Sequence, residues 1–413
     1  MEEKYYEAKR TLQEYNQEHL LSFYEKLTEE KREELLKEIL SIDFKQLETL
    51  YRGINSTKTN SEQKIEPIEY VDEAKLTEEQ KQNYTQKGKE VLKSGKYAVI
   101  TMAGGQGTRL GHNGPKGTFK LGIEPDKSLF EILCDKLKKL QIEYNVTTPW
   151  YIMTSKENND DTVKFFEENN YFGYPKEAIK FFKQGEIPMI DKNGKILLTE
   201  EGLVKEAADG HGGIFEAMFK NNVVEDLKTK NIEWIFIGPI DNPLVQMTDE
   251  LMIGYSVSEG VLATGKSIVK ANPKEKVGVF CKRDGRPSVV EYTEISEEMA
   301  EETDENGELK FGESHINCNL FNIKAIEKIG NDKLPYHTAF KKATYIDTEG
   351  NTIKPTEPNC YKFESFIFDA FEKIDRMGIL RGSRENEFAP VKNAEGVDSP
   401  ETARELYKKY YNI

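Results

Sequence analysis

The chain predicts an α/β fold: a doubly wound, mostly parallel sheet with a helical segment before it and a short segment after it. Three observations carry that expectation. Apolar strand-like runs alternate with helix-length amphipathic stretches, a glycine-rich turn follows the first of those runs, and the opening residues read as helix throughout. With 413 residues the chain is long enough for a principal domain with appendages.

Residues 1–75 read as an N-terminal helical segment, with Leu20, Leu21, Phe23, Tyr24 and Leu27, then Leu35, Leu36, Ile39 and Leu40, at helical spacing. Residues 55–63 form a polar break and a first linker candidate. Residues 76–350 read as the main domain. Its first helix starts at the capping box Thr77-Glu78-Glu79-Gln80 and stops at Ser94-Gly95, where glycine takes the left-handed cap. An apolar strand follows over 96–103. Ser128-Leu129-Phe130-Glu131 caps a helix reaching Tyr144, and strands are expected at 150–154 and 179–184. A helix over 214–228 leads to a fully buried strand at 234–238. Residues 257–292 and 316–323 are richer in strands and suggest a β-rich extension. Residues 351–413 read as a short C-terminal segment with an amphipathic helix over 362–374 and a last helix over 400–411; residues 348–359, with Pro355 and Pro358, are a second linker candidate.

Charge narrows the partners. The 58 Lys and Arg against 73 Asp and Glu leave a net charge of -15, which repels polyanions and anionic membrane surfaces. No nucleic-acid or membrane role is expected. The N-terminus has no apolar signal core and no run approaches the ~18 apolar residues of a membrane span, so a cytoplasmic protein is expected. Cys134, Cys281, Cys318 and Cys360 are scattered without a Cys-x-x-Cys pair and read as plain thiols in a reducing compartment.

An anionic ligand therefore needs a local exception to the acidic background, and one exists. Gly104-Gly105-Gln106-Gly107-Thr108-Arg109-Leu110-Gly111 follows the first apolar strand, where an open α/β sheet places its ligand. Glycines there let backbone N–H groups approach a phosphate or a base edge. Between residues 98 and 123 there is no Asp or Glu, whereas Arg109, Lys116 and Lys120 are present. Two better-known phosphate motifs do not apply. A dinucleotide fingerprint would need a third glycine where Leu110 stands. Gly260-Val261-Leu262-Ala263-Thr264-Gly265-Lys266-Ser267 matches a P-loop by letter, yet a helical pattern precedes it and a β run follows, the reverse of what that loop requires.

Gly-Gly-Gln-Gly-Thr-Arg-Leu followed by Pro115-Lys116-Gly117 resembles the signature of the UTP-dependent sugar-1-phosphate uridylyltransferases, specifically the UDP-N-acetylglucosamine pyrophosphorylases. Phe181-Phe182-Lys183-Gln184-Gly185, Asp209-Gly210-His211-Gly212-Gly213, Asp241-Asn242-Pro243, Val277-Gly278-Val279, Val290-Glu291-Tyr292 and Pro390-Val391-Lys392-Asn393 resemble further landmarks of that family, in its order. The resemblance implies a Rossmann-like nucleotidyltransferase core with a β-rich sugar-side extension. It also implies UTP and a sugar 1-phosphate as small-molecule substrates and Mg as cofactor. Ala103, Gly104, Gly105, Gln184 and Gly210 would form the nucleotide pocket, and an amide side chain suits the alternating edge of uracil. Arg109, Lys116 and Lys392 would be catalytic, neutralising phosphate charge, and Asp241 would be the metal ligand, a hard oxygen suited to Mg. Gly278, Glu291, His211, His315 and Lys362 would contact the sugar phosphate.

The implied reaction transfers UMP from UTP to N-acetylglucosamine 1-phosphate by direct in-line displacement. A phosphate dianion is already an adequate nucleophile, so the absence of a Ser/His/Asp or Cys/His constellation agrees with it. Two positions depart from the N-acetylglucosamine pattern. His211 stands in a Gly-His-Gly like that of UDP-glucose pyrophosphorylases, and His315 stands where an Asn is expected. Glucose 1-phosphate, galactose 1-phosphate or a broad range is therefore the alternative acceptor. The chain ends soon after Thr402-Ala403-Arg404, short of the further C-terminal region of animal members, and a monomer is expected.

Overall fold

The computed structural model describes residues 1–55, 63–330 and 333–413, so the polar break at 55–63 lies outside the described residues apart from its two ends. The chain divides into two compact units that interleave along the sequence: residues 1–61, 185–212 and 334–366 form one, and residues 62–184, 213–333 and 367–413 the other. These units do not coincide with the three consecutive segments 1–75, 76–350 and 351–413. The physical reason is that two excursions from the middle of the chain pack on the N-terminal helices rather than on the sheet.

In the smaller unit, helices Glu2–Glu14, Glu29–Ser41 and Phe44–Asn55 carry the expected leucine-rich faces. Ala8, Leu12, Leu20, Leu35, Leu36 and Ile39 are fully buried and pack with Ile190, Ile196, Leu198 and Phe363. A three-stranded sheet in the order His337–Lys341, Cys360–Glu364, Ile190–Asp191 completes that core.

The larger unit is built on an eleven-stranded sheet among the described residues. Its main path runs Val71–Asp72, Gly378–Arg381, Ala263–Val269, Glu313–Asn322, Trp234–Pro239, Tyr97–Met102, Trp150–Thr154, Ile179–Lys183. The last four strands are parallel in sequence, and Glu313–Asn322 is antiparallel to both neighbours. Tyr97–Met102 and Trp150–Thr154 are buried at every position, as parallel strands covered on both faces must be. Trp150 Nε1 donates to Thr101 Oγ1 at 2.8 Å, which satisfies the one polar atom of that indole inside the core. The β-rich stretch is real but does not stand apart: Val279–Arg283 and Arg286–Val290 join the same sheet through Glu313–Asn322.

The capped helices form where expected, at Glu78–Lys93 with both bonds of the Thr77/Gln80 capping box, at Leu129–Tyr144 behind Ser128, and at Pro400–Tyr411. Three expectations need correction. Residues 362–374 are not one helix. Cys360–Glu364 is a strand, and a 3-10 helix follows at Ile367–Lys373. The four-residue spacing of Phe363, Ile367 and Phe371 mimics a helical stripe although Phe363 belongs to one unit's core and the other two to the second unit. The opening segment is not purely helical, since Ile65–Pro67 and Val71–Asp72 pair with sheet strands. The expected helix over 214–228 is two, Ile214–Lys220 and Val223–Thr229, broken where Asn222 takes φ 56°. Among the described residues no helix is long and apolar enough to cross a membrane, and the four cysteines are buried thiols.

Candidate active site

The loop leaving strand Tyr97–Met102 is braced from three sides. Gly107 N donates to Gly114 O at 2.9 Å and Lys116 N to Gly105 O at 3.0 Å, so the loop closes on itself. The His112 Nε2 and Thr118 Oγ1 atoms are hydrogen-bonded at 2.7 Å across its base. Asn158, fully buried, donates from Nδ2 to Ala103 O at 2.9 Å and to Gly105 O at 3.3 Å while its Oδ1 accepts from Ser155 N. Asn158 is a site-building residue that the sequence reading missed; the Ser155-x-x-Asn158 turn after a buried strand was its only signal.

Gln184 lies directly on this loop. A Cβ at Gly104 would stand 2.4 Å from Gln184 Oε1, so only glycine leaves room for that amide. Gln184 N donates to Thr154 O at 2.8 Å, which fixes the residue at the carboxyl edge of the sheet. Ala103 is held there too, by its N–H on Met153 O at 2.7 Å.

Lys116 opens a 3-10 turn, Lys116–Thr118, and its Nζ lies 3.4 Å from Oδ2 of Asp241. Asp241 comes just after the buried strand Trp234–Pro239. Arg109, on the turn Thr108–Leu110, is exposed. Val391 N donates to Asp241 O at 2.8 Å, which carries the next residue, Lys392, to this end of the sheet. The exposed Lys392 ammonium is directed to Asp398, 4.0 Å away. Burial pushes the Asp398 carboxyl above its ordinary range, partly opposed by Lys392.

A second constellation gathers Gly278, Glu291 and His315. A Cβ on Gly278 would lie 2.9 Å from Glu291 Oε1, and His315 N donates to Gly278 O at 2.9 Å. The His315 side chain is only 8% exposed and meets the rings of Phe280, Phe368 and Phe371 edge-on. In the smaller unit, Gly210 and His211 are strapped by Ser365, whose N–H donates to Asp209 O at 2.7 Å and whose carbonyl accepts from Gly212 N at 2.9 Å. The His211 ring faces Phe366 at 5.4 Å, and Lys362, on strand Cys360–Glu364, pairs with Glu364 at 2.8 Å.

The P-loop-like lysine has a different use. Lys266 is 1% exposed inside strand Ala263–Val269, with its ammonium 2.5 Å from Glu73, 2.5 Å from Asp249 and 3.4 Å from Glu387. These three acids lie close enough together to hold a cation, and the ammonium stands among them. Burial, together with the charges of Asp249 and Glu73, pushes the Glu387 carboxyl up to about 7 against the pull of Lys266.

Residues 43–398 match the family model described as UTP–glucose-1-phosphate uridylyltransferase. The chain is 36% identical to the UDP-N-acetylglucosamine pyrophosphorylase of Saccharomyces cerevisiae over 98% of this chain and 89% of that one. The chain belongs to the UDP-N-acetylglucosamine pyrophosphorylase family. Family membership makes it an enzyme of the nucleotidyltransferase type. It is 34% identical to the human UDP-N-acetylhexosamine pyrophosphorylase-like protein 1, covering 97% of this chain and 83% of that one. The crystal structure of the Trypanosoma brucei UDP-N-acetylglucosamine pyrophosphorylase in complex with an inhibitor superposes with TM-score 0.83 at 30% identity, over 98% of this chain and 84% of that one. The doubly wound, mostly parallel sheet is thus the fold of a solved family member.

Proposed function

We propose that this family member transfers UMP from UTP to N-acetylglucosamine 1-phosphate, giving UDP-N-acetylglucosamine and pyrophosphate. The observation that carries the reading is the Lys116–Asp241 pair at the same sheet edge as the Gly104–Gln184 contact. A cation and a metal-binding carboxylate then stand where triphosphate meets a base-reading amide. Gln184 and the Gly104 and Gly105 backbone bind uracil and ribose. Arg109 and Lys116 hold the triphosphate, Lys392 swings from Asp398 to the phosphates, and Glu291 and the Gly278 backbone take sugar hydroxyls. His211, His315 and Lys362 are assigned to the sugar phosphate by resemblance, as is Gly210 to the nucleotide.

The sugar phosphate oxygen attacks the α-phosphorus of UTP, the bond from that phosphorus to the β-phosphate oxygen breaks, and pyrophosphate leaves with the electron pair. No proton need be removed from the nucleophile. The residues fit Mg: a single, largely shielded carboxylate at Asp241 suits an ion that takes one or two protein oxygens and completes its shell with phosphate and water. Bound there, Mg would neutralise phosphate charge; Lys116 does the same from the protein side.

A second reading, transfer to glucose or galactose 1-phosphate, rests on His211 in its Gly-His-Gly setting. Pyrophosphate release from UTP and Mg with N-acetylglucosamine, N-acetylgalactosamine, glucose and galactose 1-phosphates, each alone, separates the two. A preference of about ten-fold or more for the N-acetyl sugars, ~1.4 kcal/mol in transition-state binding, supports the first reading. The reverse preference replaces it with the second.

A further inference from the structure

The Asp241 loop and the segment leading to Lys392 are joined through one buried side chain. Asn242 is fully buried. Its Nδ2 donates to Glu387 O at 2.6 Å, and its Oδ1 accepts from Ala389 N at 3.0 Å and Leu244 N at 3.1 Å. The backbone bond from Val391 N to Asp241 O, at 2.8 Å, lies beside them. Ala389 and Val391 are buried, so the segment is held by packing as well. Its far end is fixed from below: Glu387 closes the short helix Arg384–Glu387 and reaches the Lys266 ammonium at 3.4 Å.

The chemistry of this joint requires an amide. A carboxamide donates and accepts from one planar group, an aspartate only accepts, and an alanine does neither. A bond to Leu244 N alone would be a local turn that Asp makes equally well. The donation to Glu387 O has no such substitute.

We propose that Asn242 is a positioning residue for uridylyl transfer, holding the Asp241 carboxylate and the base of Lys392 as one block; this rests on the roles of Asp241 and Lys392 given above. Asn242 touches no reacting atom and acts through its two neighbours. Asn242→Asp keeps the accepted bonds and sets a carboxylate against a carbonyl oxygen, so it isolates the tie to residue 387.

The test compares wild type, Asn242→Asp, Asn242→Ala, Lys392→Ala and Asn242→Ala/Lys392→Ala for kcat, KM for UTP and thermal midpoint. Asn242→Asp is expected to melt as a folded protein and to lower kcat about ten- to hundred-fold, the range for lost outer-shell partners, with KM for UTP moved less than about three-fold. The double variant is expected to be slower than Lys392→Ala by a clearly smaller factor than Asn242→Ala is slower than wild type, because the part of the Asn242 loss that runs through Lys392 is already gone and only the part through Asp241 remains. Asn242→Asp with wild-type kcat, a loss confined to KM, or fully multiplicative losses in the double variant would each overturn the proposal. Should an Asn242 variant fail to fold, Asn242→Ser takes its place in the same comparison. Wild-type activity in Lys392→Ala is a distinct result: it removes the assigned role of Lys392, and the proposed route through it falls as well.

Discussion

The Lys116 ammonium lies 3.4 Å from Asp241 Oδ2, with the two side chains 17% and 21% exposed. A partly shielded ion pair at the end of a parallel sheet is a modest stabiliser, because what the charges gain from each other they lose in hydration. In the proposed reaction the same two groups would meet phosphate and metal. Lys116→Ala is expected to lower kcat about 10²- to 10³-fold, the cost of one lost electrostatic partner of the transition state. KM for UTP should move far less. Steady-state kinetics with UTP varied checks this, and equal losses in kcat and affinity would contradict the role.

Gly104 and Gln184 meet so closely that an added methyl would stand 2.4 Å from the amide oxygen. The far end of Gln184 can swing away, so Gly104→Ala should fold and melt near the wild-type temperature. The displaced amide would leave the position from which it is proposed to read the base. KM for UTP is then expected to rise about ten-fold, equivalent to losing one buried hydrogen bond of roughly 1–3 kcal/mol. An unchanged KM would separate Gln184 from nucleotide binding.

Much of this molecule was legible because its elements announce themselves locally. Thr77 and Ser128 cap helices with their side-chain oxygens, and the largely apolar runs at 97–102 and 150–154 are covered strands. The flanking pattern argues against a P-loop at 260–267, and the strand there runs over Ala263–Val269, starting inside the motif rather than after it. What was not legible depends on distant partners. Phe363 reads as part of a helical stripe until it is seen pairing through Thr338 across a strand ladder. Asn158 and Asn242 are each defined by carbonyls and amides far away in sequence, which no local period reveals. The interleaving of the two units has the same origin, since excursions of the chain are assigned by what they pack against.

The Lys266 cluster sets a pH dependence of stability. Burial, helped by the negative charge of Asp249 and Glu73 beside it, holds the Glu387 proton up to about 7 against the pull of Lys266. The folded pKa of Glu387 lies above its ordinary value, so between the ordinary carboxylate range and about 7 the folded state binds more proton than the unfolded one. The contribution of this group to stability is therefore present at low pH and is lost as pH rises through that window. Glu387→Gln removes the titration while keeping the shape. Denaturant unfolding at several pH values from 5 to 8 should show wild type losing stability relative to Glu387→Gln as pH rises. Parallel curves for the two proteins would refute the assignment.

The two histidines that the resemblance assigns to the sugar phosphate stand in different settings. His315 is buried against Phe280, Phe368 and Phe371, and its backbone holds Gly278. Replacing it with Asn removes three edge-to-face contacts, so His315→Asn is expected to cost stability on the order of 1–3 kcal/mol. The His211 ring faces Phe366 at 5.4 Å, and Ser365 straps the backbone on either side of it. His211→Asn keeps that backbone strap and offers a donor and an acceptor together where imidazole offers them on opposite edges. The ratio of kcat/KM for N-acetylglucosamine 1-phosphate over glucose 1-phosphate is expected to rise about five- to ten-fold in His211→Asn, within the reach of one changed polar contact, and to stay within about three-fold in His315→Asn. Competition between the two sugar phosphates at fixed UTP measures both ratios. The opposite ranking would make His315, despite its burial, the residue that reads the sugar.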